Sequence, residues 1–275
     1  MDITDRIALI TGAGSGIGRA LAVRMIDRGA RHVVCTDLDG ANAEETATMI
    51  GDKATGCALD VSSESAIEAL VKEVEADVGG IDIFVSNAGY GQSGGLDLAT
   101  QEWEKMMTVH TWSHLSAARA VIPGMVARGG GYLLSTASAA GLLTTIDSGP
   151  YAVSKHAAIA FAEWISINYA DQGIGVSVLC PQAVRTNIMA NSIRRAGGEL
   201  PPPDEAERRS NSNQAAQDGV LEPEDVADKC IEAINEERFL VLPHPEVETY
   251  FQRKANDYDR WLNGMRRFKK RLQEG

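Results

Sequence analysis

Tyr151 and Lys155 lie four residues apart in Tyr151-Ala152-Val153-Ser154-Lys155, a stretch that reads as the start of a long helix. At that spacing both side chains project from one face, a turn apart. A phenol with its ordinary pKa of about 10 is a poor base at neutral pH. A neighbouring ammonium favours the phenolate and suits the tyrosine to proton transfer. Such pairs also arise by chance on exposed helices, so this one needs company. Ser138 stands 13 residues upstream, just after a strand-like run, where a hydroxyl could steady a substrate oxygen. Asn87-Ala88-Gly89 follows another strand-like run. Together these residues could exchange a proton with a hydroxyl or carbonyl group.

A second constellation lies at the other end of the chain. Thr11-Gly12-Ala13-Gly14-Ser15-Gly16-Ile17-Gly18 joins a strand-like run to a helical pattern. Glycines there let the backbone turn sharply and approach a pyrophosphate, while the helix N-terminus offers free N–H groups and partial positive charge. Asp37 closes the next strand-like run, 25 residues after Gly12. A carboxylate at that place can accept both ribose hydroxyls of NAD and repels the 2′-phosphate of NADP. The other use for Asp37 is to cap a turn, since Asp39-Gly40 follows. Ser15, neither Lys nor Arg, leaves a 2′-phosphate without a partner in the loop. NAD is the expected cofactor.

These motifs need a frame. Hydrophobic runs alternate with helical patterns almost to the end, the signature of βαβ units on a parallel sheet. Strands are predicted at Ile7–Thr11, His32–Asp37, Thr55–Leu59, Ile81–Ser86, Tyr132–Thr136, Val176–Cys180 and Phe239–Leu242. Helices fall between them: Ile17–Arg28, one near Ala43–Ile50, one capped by Ser62 or Ser63 and running to Val78, Trp103–Arg128, Tyr151–Asp171, and one from Pro223 through Ile234. Pro123 is expected to kink or end the fourth. The expected architecture is a single doubly wound α/β domain of Rossmann type over residues 1–249, with a mostly parallel sheet of about seven strands.

Two stretches break the rhythm. Residues 187–219 are polar, with Gly197-Gly198, Pro201–Pro203 and Ser210–Asn213, and follow a strand end directly. They read either as a surface insertion or, preferably, as a lid over the substrate. Residues 250–275 carry Phe251, Trp261, Leu262, Met265, Phe268 and Leu272 at roughly helical spacing with basic residues between. A basic amphipathic helix is expected, packed on its own domain or on a subunit partner, with a membrane-surface helix as the alternative.

Composition closes off several classes. The net charge of −12 argues against a nucleic-acid binder, since phosphates must be neutralised. The charge is uneven: Phe251–Gly275 carries +5 and the remaining 250 residues −17. Cys35, Cys57, Cys180 and Cys230 are scattered, without C-x-x-C spacing or clustered histidines, so neither a disulfide framework nor a metal site is expected. The start of the chain lacks the basic and apolar runs of a signal peptide, and no segment is apolar enough to span a membrane. A cytoplasmic protein is expected.

Taken in order, Thr11–Gly18, Asp60-Val61, Asn87-Ala88-Gly89, Ser138, Tyr151-x-x-x-Lys155 and Pro181-Gln182-Ala183-Val184-Arg185-Thr186 resemble the short-chain dehydrogenase/reductase family from about Asp5 to Leu242. The resemblance implies that Tyr151 exchanges the proton, Lys155 lowers its pKa and binds the nicotinamide ribose, and Ser138 holds the substrate oxygen. It implies cofactor contacts from Gly12, Ser15, Gly16, Ile17 and Gly18, from Asp37, Asp60 and Val61, from Asn87, Ala88 and Gly89, and from Pro181, Val184 and Thr186. It also implies a homodimer or homotetramer built on the two long helices.

The sequence departs from the family pattern twice. His110 stands where family members usually carry Asn in a proton relay. It could serve that relay with its own pH dependence, impair it, or be a buried structural histidine. Gln182 follows Pro181 where Gly is usual, and its side chain is expected near the substrate. Tyr90, Ala139, Ala140, Leu142 and Gln182, with Leu143 and Ile146, form the expected substrate pocket, mostly apolar. Arg194 and Arg195 in the lid could meet an anion. The expected reaction is hydride transfer between NAD(H) and a hydrophobic secondary alcohol or ketone. The alternatives are an NADP-dependent carbonyl reductase and a catalytically idle NAD-binding sensor or scaffold.

Overall fold

The structure, a computed structural model, describes residues 1–195, 199 and 214–274. Seven strands form one sheet in the order β3-β2-β1-β4-β5-β6-β7, with every pairing parallel. They are β1 Ile7–Thr11, β2 His32–Asp37, β3 Ala54–Ala58, β4 Ile83–Ser86, β5 Gly131–Thr136, β6 Ile174–Leu179 and β7 Leu240–Val241. Helices α1 Gly16–Asp27, α2 Gly40–Ile50 and α3 Glu64–Asp77 make the first crossovers. Further along the chain come α4 Thr100–Met107, α5 Ser113–Ala127, α6 Ala139–Leu143 and α7 Gly149–Tyr169. The last are α8 Ile188–Arg195, α9 Pro223–Glu236, α10 Glu246–Asn256 and α11 Tyr258–Glu274.

Parallel strands covered on both faces are mostly apolar, and the central strands β1, β4, β5 and β6 are buried and mostly apolar. In β1, Leu9 packs toward α3, α5 and α7, while Ala8 and Ile10 pack toward α1 and α9. In β5, Leu133 faces the first layer and Tyr132 and Leu134 the second. Each fully buried Leu or Ile contributes about 1.5–3 kcal/mol. The one polar intrusion among the largest buried side chains is satisfied: the Tyr132 hydroxyl lies 2.7 Å from Ser177 Oγ. Among the described residues no helix is long and apolar enough to cross a membrane.

The strand order reverses at β1. The chain moves outward through β2 and β3, then returns to add β4 on the other side of β1. The loops after β1 and β4 therefore diverge and leave a crevice at the carboxyl ends of the strands. The glycine loop and Asn87 sit at that switch point.

Three segments differ from the sequence expectation. The long helix predicted over Trp103–Arg128 is not broken at Pro123, which stays inside α5. It is interrupted instead at Thr108–Trp112, where one turn is a π-helix. Hydroxyls support that turn: Thr108 and Ser113 donate to the carbonyls of Glu104 and Val109 (2.8 and 2.7 Å), and Thr111 donates across to Ser154 O (3.0 Å). Counting apolar residues cannot register one extra residue in a turn. The C-terminal helix is two helices, split at Asp257, whose backbone is extended and whose Oδ1 accepts from Arg260 N at 2.9 Å. The stretch expected to form a lid contains α8, with Ile188 partly exposed. Gly197-Gly198, Pro201–Pro203 and Ser210–Asn213, and the side chains of Arg194 and Arg195, lie outside the described residues.

Candidate active site

The glycine loop is shaped by two residues with left-handed backbone, Gly12 (φ 67°) and Gly16 (φ 53°), which a Cβ would disfavour. Gly18 has ordinary φ but no room: a Cβ there would lie 2.3 Å from Gly12 O and 2.6 Å from Asn87 Nδ2. Ser15 is the N-cap of α1 but makes no side-chain cap bond, so the loop keeps an open helix N-terminus.

Asn87 ties three strand ends together. Its backbone N–H donates to Thr11 Oγ1 (2.9 Å) and its amide to Thr11 O (3.0 Å), while its Oδ1 accepts from Thr136 Oγ1 (3.1 Å). Thr11 also receives Ala88 N–H at 3.0 Å. Thr136 did not stand out in the sequence as a functional residue, and Thr11 did so only as the first residue of the glycine motif. Each is simply the last residue of its strand, and only the strand order shows that the two ends adjoin β4.

Asp37 ends β2 and faces the same crevice. Its Oδ2 accepts from Gly14 N (3.1 Å) and its Oδ1 from Asp39 N (3.1 Å). The bond to Asp39 N is itself a turn cap, while Asp39 caps α2, its Oδ1 accepting from Ala41 N. Asp37 is thus anchored on the glycine loop with its carboxylate at the cleft.

Ser138 follows β5 and caps the short helix α6, its Oγ accepting from Ala140 N at 3.1 Å. It also hydrogen-bonds the Tyr151 phenol. Tyr151 enters from the first turn of α7, which Ser148 caps by accepting from Tyr151 N. Lys155 is buried one turn later, its Nζ donating to Thr136 O (2.9 Å) and lying 5.7 Å from the Tyr151 ring centroid. Burial pushes Lys155 down to about 8. Burial likewise raises Tyr151, with the Ser138 hydrogen bond opposing. The protein's own groups therefore hold the phenol protonated, in the direction opposite to the depression expected from the sequence. Desolvation outweighs the Ser138 hydrogen bond.

His110 is fully buried on the π-turn and does not line the cleft. Its Nε2 accepts from Tyr90 N (3.2 Å), so that nitrogen carries a lone pair and Nδ1 carries the hydrogen. Nδ1 lies 3.0 Å from Ser154 Oγ, whose own hydrogen goes to Tyr151 O at 3.1 Å. The imidazole ring also packs edge-on against the Tyr151 ring, centroids 5.5 Å apart. His110 thus clamps the loop after β4 to the start of α7.

One cleft of about 2080 Å³ gathers nearly all the residues the sequence singled out. The exceptions are Gly18 and His110, both behind its wall, and Leu142. Leu142 is turned into the core by α6 and presents only its carbonyl, which accepts from Lys254 Nζ at 2.5 Å; Leu143 lines the cleft instead. Ile146 does not line it. Gln182 does, with its amide held by Asp218 Oδ2 at 2.8 Å.

The fit to a dinucleotide can be read from the cradle itself. A Cβ on Gly16 would strike Thr186 Cγ2 at 2.9 Å, and one on Gly14 would strike Asp37 Oδ2 at 2.8 Å. Backbone, carboxylate and threonine converge on one trough at a helix N-terminus, the requirement for a pyrophosphate flanked by a ribose.

Comparison with known proteins agrees. The short chain dehydrogenase family matches residues 6–196, and this chain belongs to that family. It is 31% identical over 266 residues to the 1-deoxy-11-beta-hydroxypentalenate dehydrogenase of Streptomyces exfoliatus, spanning 94% of this chain and 90% of that protein. It is 32% identical over 251 residues to the "Probable oxidoreductase EphD" of Mycobacterium tuberculosis; the match takes in 88% of this chain but only 42% of that longer protein. A short-chain dehydrogenase/reductase from Burkholderia phymatum, solved in complex with NAD, superposes with a TM-score of 0.83 at 30% identity, covering 94% of this chain and 96% of that one.

Proposed function

We propose that the protein transfers a hydride between NAD(H) and a hydrophobic secondary alcohol or ketone. The observation that carries this reading is the convergence of Ser138, Tyr151 and Lys155 with the glycine loop and Asp37 on a single cleft. When bound, NAD would supply the hydride acceptor. Gly12, Ser15, Gly16 and Ile17 would hold its pyrophosphate, with Gly18 keeping the loop close. Asp37 would take the adenosine ribose, Asp60 and Val61 the adenine, and Pro181, Val184 and Thr186 the carboxamide. Asn87, Ala88, Gly89 and Lys155 would support the nicotinamide ribose.

The protein's own part is proton chemistry. Ser138 holds the substrate oxygen beside the Tyr151 hydroxyl. In reduction the phenol gives its proton to the carbonyl oxygen; in oxidation the same oxygen, once it has lost its proton to solvent, takes the alcohol proton. Lys155 supplies positive charge nearby. His110 acts as a positioning residue, because its Nε2 lone pair is engaged by Tyr90 N and its Nδ1–H by Ser154. A panel of hydrophobic secondary alcohols, assayed for NADH formation, tests the reading directly.

Asp37 gives a first prediction. The unaltered protein is expected to bind NADH at least about tenfold more tightly than NADPH, and Asp37→Ser to bring the two close to parity. Fluorescence titration with each reduced cofactor decides it. Tighter NADPH binding by the unaltered protein would overturn the assignment in favour of an NADP-dependent reductase.

A second prediction concerns pH. In ketone reduction Tyr151 must carry its proton, and burial, which raises the phenol, keeps it there. Lys155 is the group that titrates in the working range, an ammonium below about 8 and neutral above. The kcat for reduction should hold level below that pH and fall as pH rises through it. A profile that stays level well into the alkaline range would show that the Lys155 charge is not required.

A cytoplasmic homodimer or homotetramer completes the proposal. Support comes from apolar side chains left exposed along α7 and the adjoining π-turn: Trp112, Val153, Trp164 and Ile167, the last 78% exposed.

A further inference from the structure

The cleft extends from the glycine loop to the C-terminal helix. Pockets for drug-sized ligands run to about 300–1,000 Å³; this one reaches about 2080 Å³, with α11 in its lining. Along that helix Arg260, Arg267 and Arg271 line the cleft with Trp261, Met265 and Phe268. The spacing is that of one helical face. Arg266, Lys269 and Lys270 are exposed and lie off that face. The wall is therefore both apolar and cationic toward the catalytic space.

Two observations set this apart from an ordinary solvated surface. The chain outside Phe251–Gly275 carries −17, so carboxylates are abundant, yet among the described residues none of the three cleft-facing arginines makes an ion pair. Two acids near the helix, Asp218 and Asp257, accept hydrogen bonds from neutral groups instead. Asp218 accepts from Gln182 Nε2 and from the Tyr250 hydroxyl (2.8 and 2.9 Å), and Asp257 Oδ1 accepts from Arg260 N. The helix is also latched to the catalytic loop. Lys254, buried, donates to Leu142 O four residues after Ser138, and its Nζ lies 5.5 and 5.0 Å from the ring centroids of Tyr258 and Trp261. Gly264, in mid-helix on the same face, would meet only Arg267 Nη2 at 3.9 Å if it carried a Cβ, so that part of the wall stays open.

We propose that α11 is the specificity wall of this cleft, and that the substrate is an apolar molecule bearing an anionic group, a carboxylate or a phosphate ester, held by Arg260, Arg267 and Arg271. The proposal rests on the dehydrogenase reading for the reaction, but its test does not need turnover. Phe268, Met265 and Trp261 would cover the apolar body, and the arginines, with their planar forks, would take the anion.

The full chain, with NADH present, would be titrated calorimetrically with decanoate, decyl phosphate and decan-1-ol below their micelle concentrations. At least one anionic probe should bind about tenfold or more tighter than the alcohol. That advantage should shrink with added salt and largely vanish in the Arg260→Ala/Arg267→Ala protein. The substitutions are at exposed positions, so melting temperature and NADH affinity should be unchanged. Whichever of the two anions binds better names the group. Equal binding of alcohol and anions, binding of none of the three, or an anion preference untouched by the substitutions would overturn the proposal. So would a loss of NADH affinity in the double variant, which would assign the arginines to the dinucleotide. Anion binding intact with no alcohol oxidised anywhere would leave this wall standing and sink the dehydrogenase reading instead.

Discussion

Tyr151→Phe should lower kcat by on the order of a thousandfold while leaving NADH affinity within about twofold. The substitution removes one oxygen and keeps the ring that packs edge-on against His110. What is lost is the only phenol that Ser138 engages and that lies over the Lys155 ammonium. General acid–base groups contribute about 10²–10⁴-fold, and no other described side chain of the cleft is placed to substitute: Cys180 is buried and pushed up to about 12, so its thiol keeps its proton. Steady-state rates set beside fluorescence titration separate chemistry from binding. Undiminished turnover would remove Tyr151 from the mechanism. An unaltered protein that binds NAD but oxidises nothing on the panel would favour the idle sensor or scaffold.

Gly18→Ala should be nearly as damaging, although Gly18 touches no part of the cleft. The new methyl would sit 2.3 Å from Gly12 O and 2.6 Å from Asn87 Nδ2. Those two atoms are themselves 3.4 Å apart in a hydrogen bond, and the same Nδ2 donates to Thr11 O at 3.0 Å. Relief requires α1 to move away from the loop or Asn87 to release β1. Overpacking of this kind costs about 1–3 kcal/mol, and at about 2–4 °C per kcal/mol for a chain of this size the melting temperature should fall by about 5 °C. Because the displaced atoms shape the pyrophosphate trough, NADH affinity should drop at least about tenfold. Thermal denaturation and cofactor titration report the two effects separately. An unchanged melting temperature with full NADH affinity would mean that the loop accommodates a side chain, and that its closeness to Asn87 does not matter.

Much of this was legible in the chain itself. Strand positions could be read because a parallel strand covered on both faces is apolar over most of its length, as residues 7–10 and 132–134 are. The glycine loop could be read because positive φ and close backbone approach admit little else, and the Tyr151–Lys155 pair because helical spacing alone puts two side chains on one face. Other features depend on which elements meet. Thr11 and Thr136 become functional only when β4 falls between their strands and Asn87 reaches both. Lys155 was expected to depress the Tyr151 phenol, but burial, a tertiary fact, pushes the phenol up instead. The chain alone left His110 as relay, impaired relay or buried structural histidine; that Tyr90 N and Ser154 Oγ meet its two nitrogens is a tertiary fact. The basic C-terminal stretch read as an amphipathic helix without an address. Its split at Asp257 is a local matter, Oδ1 capping Arg260 N, but that it latches through Lys254 to Leu142 O, 112 positions away, and lines the cleft with its arginines was decided by contacts distant in sequence, which no local pattern records.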